Sequence, residues 1–210
     1  MRAKISLFVL AFVVAVSSVV NAQSDNDSKF NFGLKLSPTI AWFKAEGTGV
    51  ESGGAKIGFA YGLIADINFA KNYSFETGID VTYRGGKTKS IYVDPLTGTT
   101  YEGKRTITLQ YIELPITLKL KTNEIGYMTY FGRVGFAPGV NIRASNDISK
   151  KNVNPINLSL IVGLGAQYSL GGKTALLLGL TYNNGFLDIA KEDNEKLASS
   201  FIALDLGIMF

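Results

Sequence analysis

The chain contains neither cysteine nor histidine. Without cysteine it has no disulfide framework, no thiolate chemistry and no lipid on an N-terminal cysteine. Without histidine, Ser-His-Asp triads and histidine metal sites are excluded. These two absences argue against an enzyme and against a bound metal or cofactor. Charge is also scarce. Only 18% of the 210 residues are charged, against about 25% in average soluble domains. The formal net charge is +4, so no strong field exists to gather nucleic acid, and none is expected as a partner. No helical period appears after the N-terminal segment.

What is present begins with "MRAKISLFVLAFVVAVSSVVNAQS". Arg2 and Lys4 form a short basic region, and Ile5 to Val20 an apolar run. Val20-Asn21-Ala22 fits a signal-peptidase site, with cleavage before Gln23. The run falls short of the roughly 20 residues that span a membrane as a helix. The expected organisation is a signal peptide over 1–22, a flexible polar lead over 23–30 and one β-barrel domain over 31–210.

Through that domain apolar residues recur at every second position, the period of a strand with two unlike faces. Eight such runs are legible. Phe32, Leu34, Leu36, Ile40 and Trp42 mark the first, and Ile57, Phe59, Tyr61, Leu63, Ile67 and Phe69 the second. The third starts near Tyr73, the fourth covers about Arg105 to Lys121, and the fifth about Ile125 to Ile142. Leu158 to Tyr168, Leu176 to Tyr182, and "FIALDLGIMF" complete the set. The connections alternate between short ("KN", "TNE", "GGK") and long. Transmembrane barrels have short periplasmic turns and longer external loops. The expected fold is therefore all-β: an eight-stranded antiparallel up-and-down transmembrane β-barrel in the bacterial outer membrane.

Alternation alone also fits a secreted soluble barrel that turns its apolar face inward around a hydrophobic ligand. The polar face favours the membrane. It is mostly Gly, Ser, Thr, Asn and Ala, whereas a water-facing surface is rich in Lys and Glu. Aromatics gather near strand ends, as interfacial girdles require. An alternating last strand through Leu206 and Ile208 to Phe210 fits the signal that barrel-assembly machinery reads during insertion.

Three local features follow. In the fourth run Ile107, Leu109 and Tyr111 are odd-numbered, but Ile112, Leu114, Ile116, Leu118 and Leu120 are even. A change of phase flips every side chain, so a β-bulge is expected near Tyr111-Ile112. Pro115 cannot donate to a ladder and should break the pairing locally. Between the third and fourth runs, Asp94-Pro95-Leu96-Thr97-Gly98 is a turn signal flanked by β-formers. A hairpin above the membrane is expected there, and its Ile91, Tyr92, Val93 and Tyr101, together with Trp42 and Phe43, are a candidate apolar patch for a protein partner or ligand.

Charged residues on the polar face are Asp66, Glu76, Asp80, Arg84, Glu113, Lys119, Arg133 and Asp205. A charge buried in a narrow lumen needs a partner, so an ion-pair network is expected, with Glu113 beside Arg133. It would plug the lumen; a gated ion or proton path is the alternative. Asp80 and Glu113 could in principle do acid–base work, but no cleft is evident. Lys44, Lys56, Lys87, Lys89, Lys104, Arg105, Arg143, Lys150 and Lys151 lie in or near the long loops. They are candidates to pair with lipopolysaccharide phosphates.

At "LQYIELPITLKLK", residues Tyr111, Ile112, Glu113, Leu114, Pro115 and Lys119 resemble the Y-[LI]-E-[IL]-P-x-x-x-K stretch of the PorT-like family. "FGLKLSPTIAW" and "VGLGAQYSL" are similar to that family's first-strand and sixth-strand stretches. The resemblance covers essentially the whole mature chain. It implies a small outer-membrane barrel of Bacteroidota-type bacteria, in a family where most members have no assigned activity. One namesake group is linked to protein secretion and gliding. The expectation is a closed barrel with a structural or surface-interaction role, its external loops binding a protein, lipid or secretion partner. A small channel or transport protein is the alternative.

Overall fold

The computed structural model describes residues 29–46, 50–93, 100–144, 153–189 and 196–210. The expected signal peptide, the lead up to Ser28 and the tips of four loops lie outside the described residues, as do the side chains of 45–51, 90–102, 104, 105 and 196. Every regular element among the described residues is a strand. These are β1 (Phe30–Glu46), β2 (Val50–Gly54), β3 (Lys56–Ala70), β4 (Tyr73–Val93), β5 (Thr100–Glu113), β6 (Ile116–Lys121), β7 (Met128–Ala144), β8 (Ile156–Gly171), β9 (Thr174–Gly185) and β10 (Lys196–Met209).

All pairings are antiparallel and the sheet closes on itself. β1 pairs with β3 on one side and with β10 on the other. The ring continues from β10 through β9, β8 and β7, and from β3 to β4. β5 and β6 together fill the place between β4 and β7. They are one wall interrupted at Leu114-Pro115, where Pro115 has no N–H to offer. Leu114 instead donates its N–H to the carbonyl of Pro138 at 2.9 Å. The ring thus has eight walls, and closure leaves no exposed edge around it. β2 continues the β3 wall upward across a break at Ala55 and pairs with the upper part of β4.

The faces decide the barrel type. Leu34, Leu36, Ile40, Ile57, Phe59, Leu63, Leu164, Leu178, Leu180 and Leu204 are exposed on the outer wall. Ser37, Thr39, Asp66, Glu76, Arg84, Thr117, Lys119, Asn183 and Asp205 are buried inside. A soluble barrel would reverse this, so the inward-facing apolar alternative is overturned. Aromatic contacts lie at two levels. Phe69 stacks on Tyr73 beside the β3–β4 turn, and Tyr127 meets Tyr168 beside the β6–β7 turn. Higher up, Tyr83 stacks on Phe59 at 4.3 Å, and Trp42 on Tyr182. Ten residues of β4 separate Tyr73 from Tyr83. At about 3.3 Å per residue and a tilt of about 40°, they rise about 25 Å, the height of the apolar band of a membrane barrel.

Two expectations are corrected. First, no flip occurs in the fourth run. Ile107, Leu109, Tyr111, Glu113, Pro115, Thr117 and Lys119 all point inward, and the even positions all point out. The lumen itself changes character, from apolar near the long loops to polar below. A register shift does lie at this level, but its extra residue is on the neighbouring strand. Gln110 pairs with Arg143 and Tyr111 with Asn141, so the bulge falls at Ile142 of β7. Second, the "TNE" turn is longer. It spans 122–127, with an Ile125–Met128 bridge inside it, and continuous pairing begins only at Lys121–Phe131.

Glycine matters where the interior is most crowded. A Cβ on Gly86 would run into the ring of Phe43, which was expected in the external patch but lies buried inside the barrel. The short β8–β9 turn uses Gly171 and Gly172 at φ of 101° and 63°, a region that side chains with a Cβ avoid.

Candidate functional site

The lumen is filled in layers. Towards the short turns Ile64, Phe131, Leu177 and Met209 form an apolar cluster. Towards the long loops Phe43, Ile107, Leu109, Tyr111 and Leu197 form another, covered by Val153 and Ile189. The charged residues lie between.

One chain of ion pairs crosses five strands. Lys119 bonds Asp66 at 2.7 Å and Glu76 at 2.9 Å. Glu76 also holds Arg133 at 2.6 Å, and Arg133 reaches Asp205 with its other terminal nitrogen. Asp205 further accepts bonds from Ser37, at 2.6 Å, and from Thr181. A second group lies beside it. Arg84 pairs with Glu113, which also accepts a bond from Thr82 at 2.8 Å. Lys35 pairs with Asp80 at 2.7 Å. Aromatic faces close both sides of this layer. The Arg84 guanidinium lies 4.8 Å from the Phe201 ring centre and the Lys119 ammonium 4.6 Å from that of Phe131.

The expected residues are therefore assembled, with different partners. Among the described residues no ion pair joins Glu113 to Arg133. The long β6–β7 turn sets Arg133 opposite Lys119, while Glu113 lies opposite Asp80 and Gly139. Counting residues from "TNE" put the two at one level; the register does not. Sequence reading missed Lys35, although it sits on the polar face of β1 between Leu34 and Leu36. It also missed the hydroxyl and amide contributors Ser37, Thr82, Asn157 and Thr181, because such residues line the whole inner face. Among the described residues, a cavity of about 30 Å3 lies in this layer, bordered by Lys35, Asp80, Glu113, Arg133, Asn183 and Asp205. That is room for about one water molecule. Asp80 and Glu113 are each held by a cation, and among the described residues no cluster of ligands is placed for a metal ion.

At the seam of closure Leu206 pairs with Leu36 and Ile208 with Leu34. Phe210 exchanges two backbone bonds with Phe32. In the expected hairpin Ile91, Tyr92 and Val93 pair with Glu102, Tyr101 and Thr100; the side chains there lie outside the described residues. Lys44 donates to Asn184 at 2.7 Å and Lys56 to Thr108. Lys87 and Arg143 are exposed, and Lys150 and Lys151 lie outside the described residues.

A family model for the outer membrane protein beta-barrel domain matches residues 21–191. The chain belongs to this family. Its place is the bacterial outer membrane, where its outer wall meets lipid. Among similar solved structures is Neisserial surface protein A, at 13% identity and a TM-score of 0.55, covering 87% of this chain and 96% of that one. The outer membrane protein OprG from Pseudomonas aeruginosa has 11% identity and a TM-score of 0.49, with 86% and 95% covered. No curated protein sequence matches the chain. The outer-membrane barrel thus shares its fold with Neisserial surface protein A.

Proposed function

We propose that this outer-membrane barrel is a closed, non-enzymatic scaffold whose role is played at its external face. The observation that carries this reading is the lumen. Four cations and five carboxylates are locked there by mutual pairing, and an apolar cluster stands on either side. Among the described residues, the cavity in the charged layer is about 30 Å3, too small for a hydrated solute. The PorT-like motif supports the same reading, since its residues map onto the lock. Tyr111 packs on Arg84, Glu113 pairs with it, Pro115 breaks the wall, and Lys119 carries the longest chain of pairs. The loops and the β4–β5 hairpin are then the surfaces for a protein, lipid or secretion partner. Leu206, Ile208 and Phe210 would serve insertion by the assembly machinery.

Planar-bilayer recording tests this. The purified barrel should be silent across the physiological voltage range. Regular openings would sink the closed reading and favour the small channel, for which the charged middle layer would be the filter.

A further inference from the structure

We propose that the outward face of the β3–β4–β5 wall, just above the aromatic level, is a binding site for a phosphorylated lipid headgroup. The proposal rests on reading the external face as the interacting surface, and it names the ligand for one part of that face.

Successive outward positions of β4 are Tyr83, Gly85, Lys87 and Lys89. Tyr83 stacks with Phe59 and lies beside Tyr61, which marks the outer edge of the apolar band. Gly85 has no side chain, and the stem of Lys56 runs over it to reach the Thr108 hydroxyl. Lys56 therefore presents its ammonium on the outside of the wall, although it starts from β3. At about 3.3 Å per residue and a tilt of about 40°, Gly85 lies about 5 Å above Tyr83, Lys87 about 10 Å and Lys89 about 15 Å. Lipid headgroups occupy the first 5–8 Å or so beyond the hydrocarbon. Lys87 starts just above that layer, and its long, flexible stem can lower its ammonium into it.

By register, the charged positions along this face are mostly lysine. Lys89 stands directly opposite Lys104 of β5. Like charges facing each other across strands destabilise a sheet. The acids at neighbouring register positions are Glu51, opposite Lys89 on β2, and Glu102, opposite Ile91. By register, four lysines (Lys56, Lys87, Lys89 and Lys104) share this stretch of wall with two glutamates. An anion with more than one phosphate would relieve the repulsion and bond several ammonium groups at once. The position beside the aromatic belt selects a lipid over a soluble acidic partner, because a lipid phosphate is delivered to this height by its own acyl chains.

The test uses the full mature barrel in phosphatidylcholine nanodiscs containing a trace of bisphosphorylated lipid A, with bound lipid counted by native mass spectrometry. The wild type should retain lipid A, less so as salt rises, and should ignore the dephosphorylated lipid. Lys56→Gln/Lys87→Gln/Lys89→Gln should weaken retention at least tenfold. Lys44→Gln/Arg143→Gln, which removes charge from other walls, should not. Equal loss in both variants, or none in the triple variant, would overturn the site. Free pyrophosphate displacing lipid A at equal concentration would also overturn it, because the site would then read a soluble anion. Gel mobility before and after boiling reports whether each variant is folded. Should the triple variant fail to fold, the single Lys87→Gln variant must still lose affinity. A conducting barrel that binds lipid A would count against the closed reading alone, and a silent barrel that does not bind it against this inference alone.

Discussion

Arg133 illustrates how single residues hold this interior. It bridges Glu76 and Asp205, and through them it joins β4, β7 and β10. Arg133→Ala leaves buried Asp205 without a cation and Glu76 with Lys119 alone. Removing one partner of a buried pair costs about 3–5 kcal/mol. The variant should therefore unfold at a clearly lower temperature, followed as loss of the fast-migrating folded form on a gel. An unchanged transition would count against the network. Restoring neutrality with Glu76→Gln and Asp205→Asn in the same chain should recover part of the loss, since the residues act as one unit. Gly86 makes the opposite point, that space can be as specific as charge. Gly86→Ala pushes a methyl against the Phe43 ring. Overpacking of this kind costs about 1–3 kcal/mol, measurable in urea-induced unfolding of the detergent-solubilised barrel.

Among the elements, the β4–β5 hairpin and the closing strand have separable jobs. The hairpin keeps an unbroken register from Asp80–Glu113 up to Val93–Thr100, but Ile107 and Leu109 already supply the apolar cluster near its base. Replacing residues 90–103 with a two-residue turn should leave the barrel foldable, with its heat-dependent gel shift intact, and abolish binding of any partner that reads the hairpin. Loss of folding would mean that the hairpin belongs to the core. At the other end of the chain, Phe210 contributes two backbone bonds to Phe32, and its side chain is exposed. Phe210→Ala keeps both bonds. It should fold in detergent almost as the wild type does, yet reach the outer membrane in cells at a severalfold lower level. Equal levels in cells would remove Phe210 from the insertion signal.

For the whole molecule, the contrast of faces is the governing fact. Exposed leucine, isoleucine, phenylalanine and tyrosine cover the outer wall, and buried charge fills the middle. Such a molecule is stable only where lipid covers its exterior, and eight walls enclose just enough space for side chains. The silence expected in planar bilayers belongs to this scale, because it depends on both apolar clusters and the charged layer together. The register argument also belongs here. In a closed sheet every strand's offset is fixed by all the others, so a six-residue turn in place of three moves Arg133 from Glu113 to Glu76.

From sequence alone, the period-two runs determined eight walls, and the alternating loop lengths determined which ends carry the turns. The scarcity of Lys and Glu on the polar face determined that this face looks inward. These readings are local, since strand pleat and turn length act over a few residues. The sequence also located the charged residues that meet in the lumen and the break at Pro115. It did not choose the partners. Tyr111, Leu109 and Ile107 read as outward because they are apolar, yet they fill the lumen, since an interior out of reach of both lipid and water accepts either chemistry. Pairing of Glu113 with Arg84, the part played by Lys35, and the bulge at Ile142 required the closed register. That register depends on contacts between opposite ends of the chain, as between Phe32 and Phe210, and no local pattern carries such information.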